Sequence, residues 1–185
     1  MNFLQKYNEK IIQYDLINKF LYKNPGKIPT LEKITLNFGC KNSNIQKFAT
    51  TLLALEIITS KKGKLSISKN ANVLLKIQKG QPTGCVIVLR KKEMNNFLTR
   101  LHLEILPKLR NFVGFRLQMK PSTFAFRLAC QEILLPEFER QYPLFGDLPA
   151  LDIYVSTTAK TQKELQFLID SLKFPFLKNK SENEI

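Results

Sequence analysis

The chain has one histidine, three cysteines, no tryptophan and half as many acidic as basic residues, and most of these scarcities close off a class of chemistry. With His102 alone, metal sites built on several imidazoles are excluded, and a Ser-His-Asp relay would have to run through that residue. Its position at the edge of an apolar helical stripe favours packing. Cys40, Cys85 and Cys130 lie far apart with no paired spacing. A zinc knuckle needs closely spaced thiols and a disulfide framework an even count, so free, mostly buried thiols in a reducing compartment are expected.

Glycine-rich phosphate loops are also missing, since "KKGK" lacks the spacing and context of one. The few carboxylates form no obvious pair, and Asp152, at a strand start, reads as a turn or sheet-edge residue. No catalytic residue, metal or cofactor is therefore assigned. No apolar run approaches the ~18 residues of a transmembrane helix, and no membrane partner is expected. The first ten residues hold neither a signal core nor an arginine-rich presequence, so a protein working in an organelle would be made there or already trimmed.

What is present is positive charge. Lys and Arg total 29 against 15 Asp and Glu, giving +14 and a pI near 9.8. Such a balance points to a polyanionic partner, because phosphates neutralised by cations release their counterions. An AT-rich genome would also enrich Lys, Asn, Ile and Phe, but by itself it would not deplete Asp and Glu. Length and composition suit one globular domain over residues 1–177, followed by a polar tail at 178–185.

Periodicity sets out the elements. Ile12, Leu16 and Phe20 predict a helix over Phe3 to Tyr22, stopped by Asn24-Pro25-Gly26. From Leu31 to Gly39 the period changes to two, with Ile34, Leu36 and Phe38 on one side and Lys33, Thr35 and Asn37 on the other. Asn42 or Ser43 is placed to cap a helix with Ile45, Phe48, Leu52 and Leu55 on one side. Ser60 to Gly80 reads as a basic hairpin or extended loop with strand character at its ends, and Cys85 to Arg90 as a short apolar strand. Met94, Phe97, Leu98, Leu101 and Ile105 mark a third helix, and Phe112 to Ser122 an irregular loop. Phe124 to Leu134 and the "LDIYVSTTAKT" segment are strands separated by a connection over Pro136 to Pro149. Thr161 and Glu164 form a capping box for a final helix buried through Leu165, Leu168, Ile169 and Leu172.

This order implies an α+β fold, a largely antiparallel sheet with helices packed on one face and the other face open. Lys33, Asn37, Arg90, Thr158 and Lys160 fall on that open side. Hydroxyls, amides and cations on a bare sheet suit sugar and phosphate oxygens, whereas a merely solvated surface is the plainer reading. The Ser60 to Gly80 stretch carries Lys61, Lys62, Lys64, Lys69, Lys76 and Lys79 with no acidic residue, an imbalance relieved by phosphate nearby.

Five segments in register carry a family resemblance: "KYNEKI", "IPTLEKITLNFG", "GQPTGCVIVLRKKEMNNFLTRLHLEILPKLRNFVG", "QEILLPEF" and "LDIYVSTTAKT…FPF". Together they resemble the ribosomal protein L five family from Lys6 to Leu177. The resemblance implies a non-catalytic, cofactor-free constituent of the large ribosomal subunit, binding 5S-type and large-subunit rRNA in the central protuberance. Lys33, Asn37, Lys61, Arg90, Thr158 and Lys160 are the implied rRNA contacts. Lys64, Ser66, Ser68, Lys69 and Lys76 belong to the loop that approaches peptidyl-site tRNA. Asn111, Val113, Arg116 and Lys120 would contact the small-subunit head through protein S thirteen.

Two departures from the family pattern stand out. Val86 and Val88 replace outward polar residues, and a glycine-rich stretch has become "MKPSTFAF", Met119 to Phe126. Val86, Val88 or Phe124 is therefore expected against a protein neighbour rather than RNA. Residue usage and divergence point to a mitochondrial member, with a plastid or bacterial cytoplasm as alternatives. A free-standing RNA-binding or regulatory module of the same fold is the rival reading.

Overall fold

The computed structural model describes residues 6–40, 44–108, 114–115, 118–129, 138 and 142–175. β1 (Leu31–Gly39) buries Ile34, Leu36 and Phe38 completely, while Lys33, Thr35 and Asn37 stay half-buried on the other side. β1 is a central strand, paired antiparallel with β3 (Pro82–Leu89) on one edge and β6 (Leu151–Thr157) on the other. With β2 (Lys64–Ile67), β4 (Gln118–Lys120) and β5 (Thr123–Leu128), the sheet order is β2-β3-β1-β6-β5-β4, antiparallel throughout.

The same two-residue phase runs through the long strands. Cys85, Ile87 and Leu89, then Phe124, Phe126 and Leu128, then Leu151, Ile153 and Val155 are all buried. Helices cover that side. α1 (Gln13–Phe20) follows a π turn over Asn8–Ile12 and contributes Ile12 and Leu16. α2 (Ile45–Thr59) contributes Phe48, Ala54, Leu55 and Ile58. α3 (Lys91–Arg100), prolonged by a π turn over Leu101–Ile105, contributes Met94, Phe97, Leu98, Leu101 and Ile105. A short α4 (Tyr142–Phe145) precedes β6, and α5 (Gln162–Ser171) buries Leu165, Leu168 and Ile169. Each large apolar side chain so buried is worth about 1.5–3 kcal/mol, and a one-residue slip of a strand would forfeit the whole set. Among the described residues no helix is long and apolar enough to cross a membrane.

Polar contacts tie the layers together. Arg100 reaches from α3 to the C-terminal end of α2, where its Nη1 donates to the Ile57 and Ile58 carbonyls at 2.7 and 3.2 Å. Those carbonyls have no further helical turn to bond, so a cation there also complements the helix dipole. Thr30 and Thr158, 128 residues apart, clasp the start of β1 to the end of β6. The Thr30 N–H donates to Thr158 Oγ1 at 2.9 Å and the Thr158 N–H to the Thr30 carbonyl at 3.0 Å. His102 packs as expected, its ring 4.5 Å from that of Phe174.

Several expectations need correction. α2 begins at Ile45 behind Asn44, whose side chain makes no cap bond, so the boundary is later than Asn42 or Ser43, and residues 41–43 lie outside the described ones. Ile45 is 83% exposed rather than part of the stripe, because the helix turns Phe48, Thr51, Ala54, Leu55 and Ile58 inward. Phe124, expected on the contact side, is fully buried on the helix-covered side in register with Val155. The stretch read as a loop over Phe112 to Ser122 contains β4, and the strand expected through Leu134 ends at Leu128, with residues 130–137 outside the described ones.

Gly84 of β3 leaves no room for a side chain: a Cβ there would drive into the Phe38 carbonyl oxygen of β1, a backbone atom that cannot swing away. Gly84→Ala is therefore expected to destabilise the fold by about 1–3 kcal/mol, read from urea unfolding midpoints.

The capping box of α5 is formed in full. Thr161 Oγ1 accepts from the Glu164 N–H at 3.3 Å, and Glu164 Oε2 accepts from the Lys160 and Thr161 N–H groups at 3.1 and 3.2 Å. Burial alone would raise the Glu164 pKa, but those donors outweigh it and hold the carboxyl below its ordinary value. A carboxyl depressed by folding stabilises above its unfolded pKa, and that contribution is lost as pH falls through the folded value. Glu164→Ala should thus cost about 1 kcal/mol at neutral pH and appreciably less at about pH 3, measured by urea unfolding at both.

Candidate nucleic-acid interface

Register aligns the uncovered sheet face into three rows. The first runs Lys64, Val86, Asn37, Asp152 and Arg127 across β2, β3, β1, β6 and β5. The second runs Val88, Thr35, Tyr154 and Ala125. Lys33, Ser156, Thr123 and Lys120 make the third. None of these side chains is fully buried, so the face is open as the alternation of β1 foretold.

Charge on this surface is arranged at its margins. Lys64 stands on one edge strand and Lys120 on the other, with Lys33 in the third row and exposed Arg90 directly after β3. Arg127 donates to Asp152 through Nε at 2.6 Å and Nη2 at 3.3 Å, so this pair cancels within the first row. The middle is neutral and partly apolar: Val86 and Val88 point outward as expected, and Val88 at 40% exposure and Tyr154 at 44% flank Thr35. An exposed ring flanked by hydroxyls and bordered by cations can stack a base while its rim holds phosphates.

The residues singled out from the sequence divide accordingly. Lys33 and Asn37 share the face, and Arg90 lies at its end. Lys61 is in the turn before β2 with Nζ 2.7 Å from Glu93 Oε2, so its charge is largely answered within the chain. The Thr158 side chain is engaged by Thr30, and Lys160 is exposed at the start of α5. Of the residues given to the basic loop, Lys64 and Ser66 lie on β2 and belong to the sheet. Ser68, Lys69 and Lys76 lie in the hairpin loop beyond it. Asn111, Val113 and Arg116 fall outside the described residues, whereas Lys120 sits exposed on β4.

Sequence reasoning passed over Arg127 and assigned Asp152 to an edge. The alternation of Phe124, Phe126 and Leu128 already put Arg127 on the polar side, but pairing with Asp152 required knowing that β5 and β6 are neighbours. The hairpin apex was also missed. Asn72 Oδ1 accepts from the Leu74 and Leu75 N–H groups at 3.1 and 3.4 Å, a side-chain-capped turn that leaves Val73, Leu74 and Leu75 exposed at 91, 95 and 65%. "NVLLK" was legible as apolar, but the surrounding lysines drew the reading toward charge.

Burial raises the Cys85 thiol pKa, and its Sγ lies 3.1 Å from Thr51 Oγ1. Cys40 and Cys85 are both free. No cluster of potential metal ligands occurs among the described residues.

Comparison with known proteins is consistent with this geometry. Residues 82–176 match the model of the C-terminus of the ribosomal protein L five family. The chain is 35% identical to the large ribosomal subunit protein uL5m of Reclinomonas americana over 96% of its own length and 100% of the relative. It is 36% identical to the large ribosomal subunit protein uL5 of Variovorax paradoxus, covering 93% of this chain and 96% of that one. A uL5 from Trichodesmium erythraeum is 32% identical, with 95 and 98% covered.

The Arg127–Asp152 pair tests the charge arrangement. Because Arg127 is 70% exposed, Asp152→Asn should change unfolding stability by less than about 1 kcal/mol, yet unmask a cation on the face. Later elution from a heparin column, with an unchanged urea midpoint, is the expected result.

Proposed function

The chain belongs to the ribosomal protein L five family, and from that premise we propose that it is a non-enzymatic structural constituent of a large ribosomal subunit that docks folded rRNA on its open sheet face. The observation that carries the docking is the uncovered face itself, neutral at its centre and cationic at its margins. A helix-free pleated surface is rigid, so it recognises the shape of a folded RNA, while marginal cations hold phosphates without reading sequence. Lys33, Asn37, Arg90 and Lys64 are the contacts best placed for this role, with Tyr154 available to stack a base.

The finer assignments follow the family resemblance. The bound RNA is 5S-type and large-subunit rRNA of the central protuberance, and residues 1–177 act as one unit. The hairpin loop bearing Ser68, Lys69 and Lys76 approaches peptidyl-site tRNA. It does so with an apolar apex, which makes that contact less dependent on salt than a lysine-tipped loop would be. Lys120, with Asn111, Val113 and Arg116, faces protein S thirteen of the small-subunit head. Lys61, Thr158 and Lys160 are further rRNA contacts of this reading, Lys61 and Thr158 while also bonded to Glu93 and Thr30 within the chain. Similarity to uL5m of Reclinomonas americana, together with the Lys, Asn and Ile usage, favours a mitochondrial ribosome, although bacterial uL5 proteins match almost as well.

Sedimentation tests the assignment. The full chain should remain with large subunits through a high-salt wash that strips purely electrostatic binders, and a chain released to the top of the gradient would point to a free-standing RNA-binding module. On purified rRNA, Lys33→Gln, Arg90→Gln and Lys64→Gln should each lower the salt slope of binding by about 1, with little effect on stability.

A further inference from the structure

The hairpin apex, though largely exposed, borders a cleft that it shares with the sheet. Leu74, Leu75 and Ile77 form one wall of a cleft of about 1010 Å³, whose other side is the end of the sheet at Gly39, Arg127 and Asp152 together with Pro149. That volume matches the upper end of small-molecule sites, roughly 300–1,000 Å³. Its composition is more telling than its size. One wall is aliphatic, the floor at Gly39 has no side chain, and Lys47 and Lys76 stand at the rim. Arg127 and Asp152 cancel one another where the cleft meets the first row of the open face. The remaining lining charges, Lys47 and Lys76 against Asp147, leave a net positive rim.

We propose that this cleft receives a single unstacked nucleotide of the bound RNA, its base against Leu74, Leu75 and Ile77 and its phosphates on Lys47 and Lys76. The inference rests on the RNA-docking reading of the sheet face and deepens it, because the cleft opens onto that face through Arg127 and Asp152. A paired base has its flat surfaces stacked and cannot enter. An extruded base offers an apolar plane to the hydrocarbon wall and an anionic backbone to the rim, which are the two chemistries the cleft presents together. An acidic peptide would satisfy the lysines alone. Leu74, Leu75 and Ile77 would then have nothing to meet inside the cleft.

Gly39 offers a clean way to close the cleft. A Cβ at this position meets nothing within 4 Å, so a side chain there starts out in open space, and Gly39→Ile is the substitution that occupies the cleft. The probes are a short RNA duplex and the same duplex carrying one bulged 2-aminopurine, titrated against the full chain at low salt. The bulged RNA should bind roughly tenfold more tightly, and its fluorescence should rise, because the wall holds no aromatic ring to quench it. Gly39→Ile and the paired substitution Leu74→Ser with Leu75→Ser should each abolish the preference while leaving duplex affinity unchanged. Lys76→Gln should weaken the bulged RNA more than the plain duplex and lower the bulged RNA's salt slope by about 1.

Equal binding of the two RNAs by the parent chain overturns the cleft assignment and leaves the face reading intact. So does a preference that survives Gly39→Ile. Failure to bind either RNA at low salt overturns the face reading itself, and the cleft proposal with it.

Discussion

The structure depends on one strand being two things at once. β1 is bonded along both edges, so every residue of its middle must face either hydrocarbon or the outside, with no third choice. Ile34, Leu36 and Phe38 anchor the helices, and that same burial fixes Lys33, Thr35 and Asn37 on the opposite side to within a side chain's length. The polar face is therefore positioned by the core, not by contacts of its own. Rigidity on the outside comes from packing on the inside.

Placement of charge follows from the same geometry. Cations in the centre of a sheet would repel across strands less than about 6 Å apart. Here the central row holds Val88, Thr35, Tyr154 and Ala125 instead, and Arg127 in the first row is answered by a carboxylate on the adjacent strand. Lys64 and Lys120 stand on the two edge strands, so the protein presents a neutral middle and a margin that attracts phosphate. A surface built this way discriminates by shape first and by charge second.

Most of the architecture was readable from residue order. Period-two alternation located β1, β3, β5 and β6, and four-residue spacing located the helical stripes, because both signals come from burial on one side only. The capping box at Thr161 was read correctly for the same local reason. What failed was non-local or short. The start of α2 shifted because several polar residues in a row were equally able to begin a helix. Phe124 was misplaced because a departure from a family pattern says that a residue changed, not which way it points; its neighbours' parity would have sufficed. Neither the Arg127–Asp152 pair nor the cleft could be foreseen, since both require strands and loops far apart in the chain to meet.

The clasp between Thr30 and Thr158 has a consequence for biosynthesis. β1 is among the first segments to leave the ribosome that makes it, yet one of its two neighbours, β6, is among the last. Until residue 157 is available, the strand at the heart of the docking face lacks an edge partner, and the rows through Asp152, Tyr154 and Ser156 do not exist. Sequence-distant pairing of this kind delays completion of the surface until the chain is nearly whole. A truncated or half-finished copy would carry the lysines without the platform, and so could not compete for the site that the finished protein occupies.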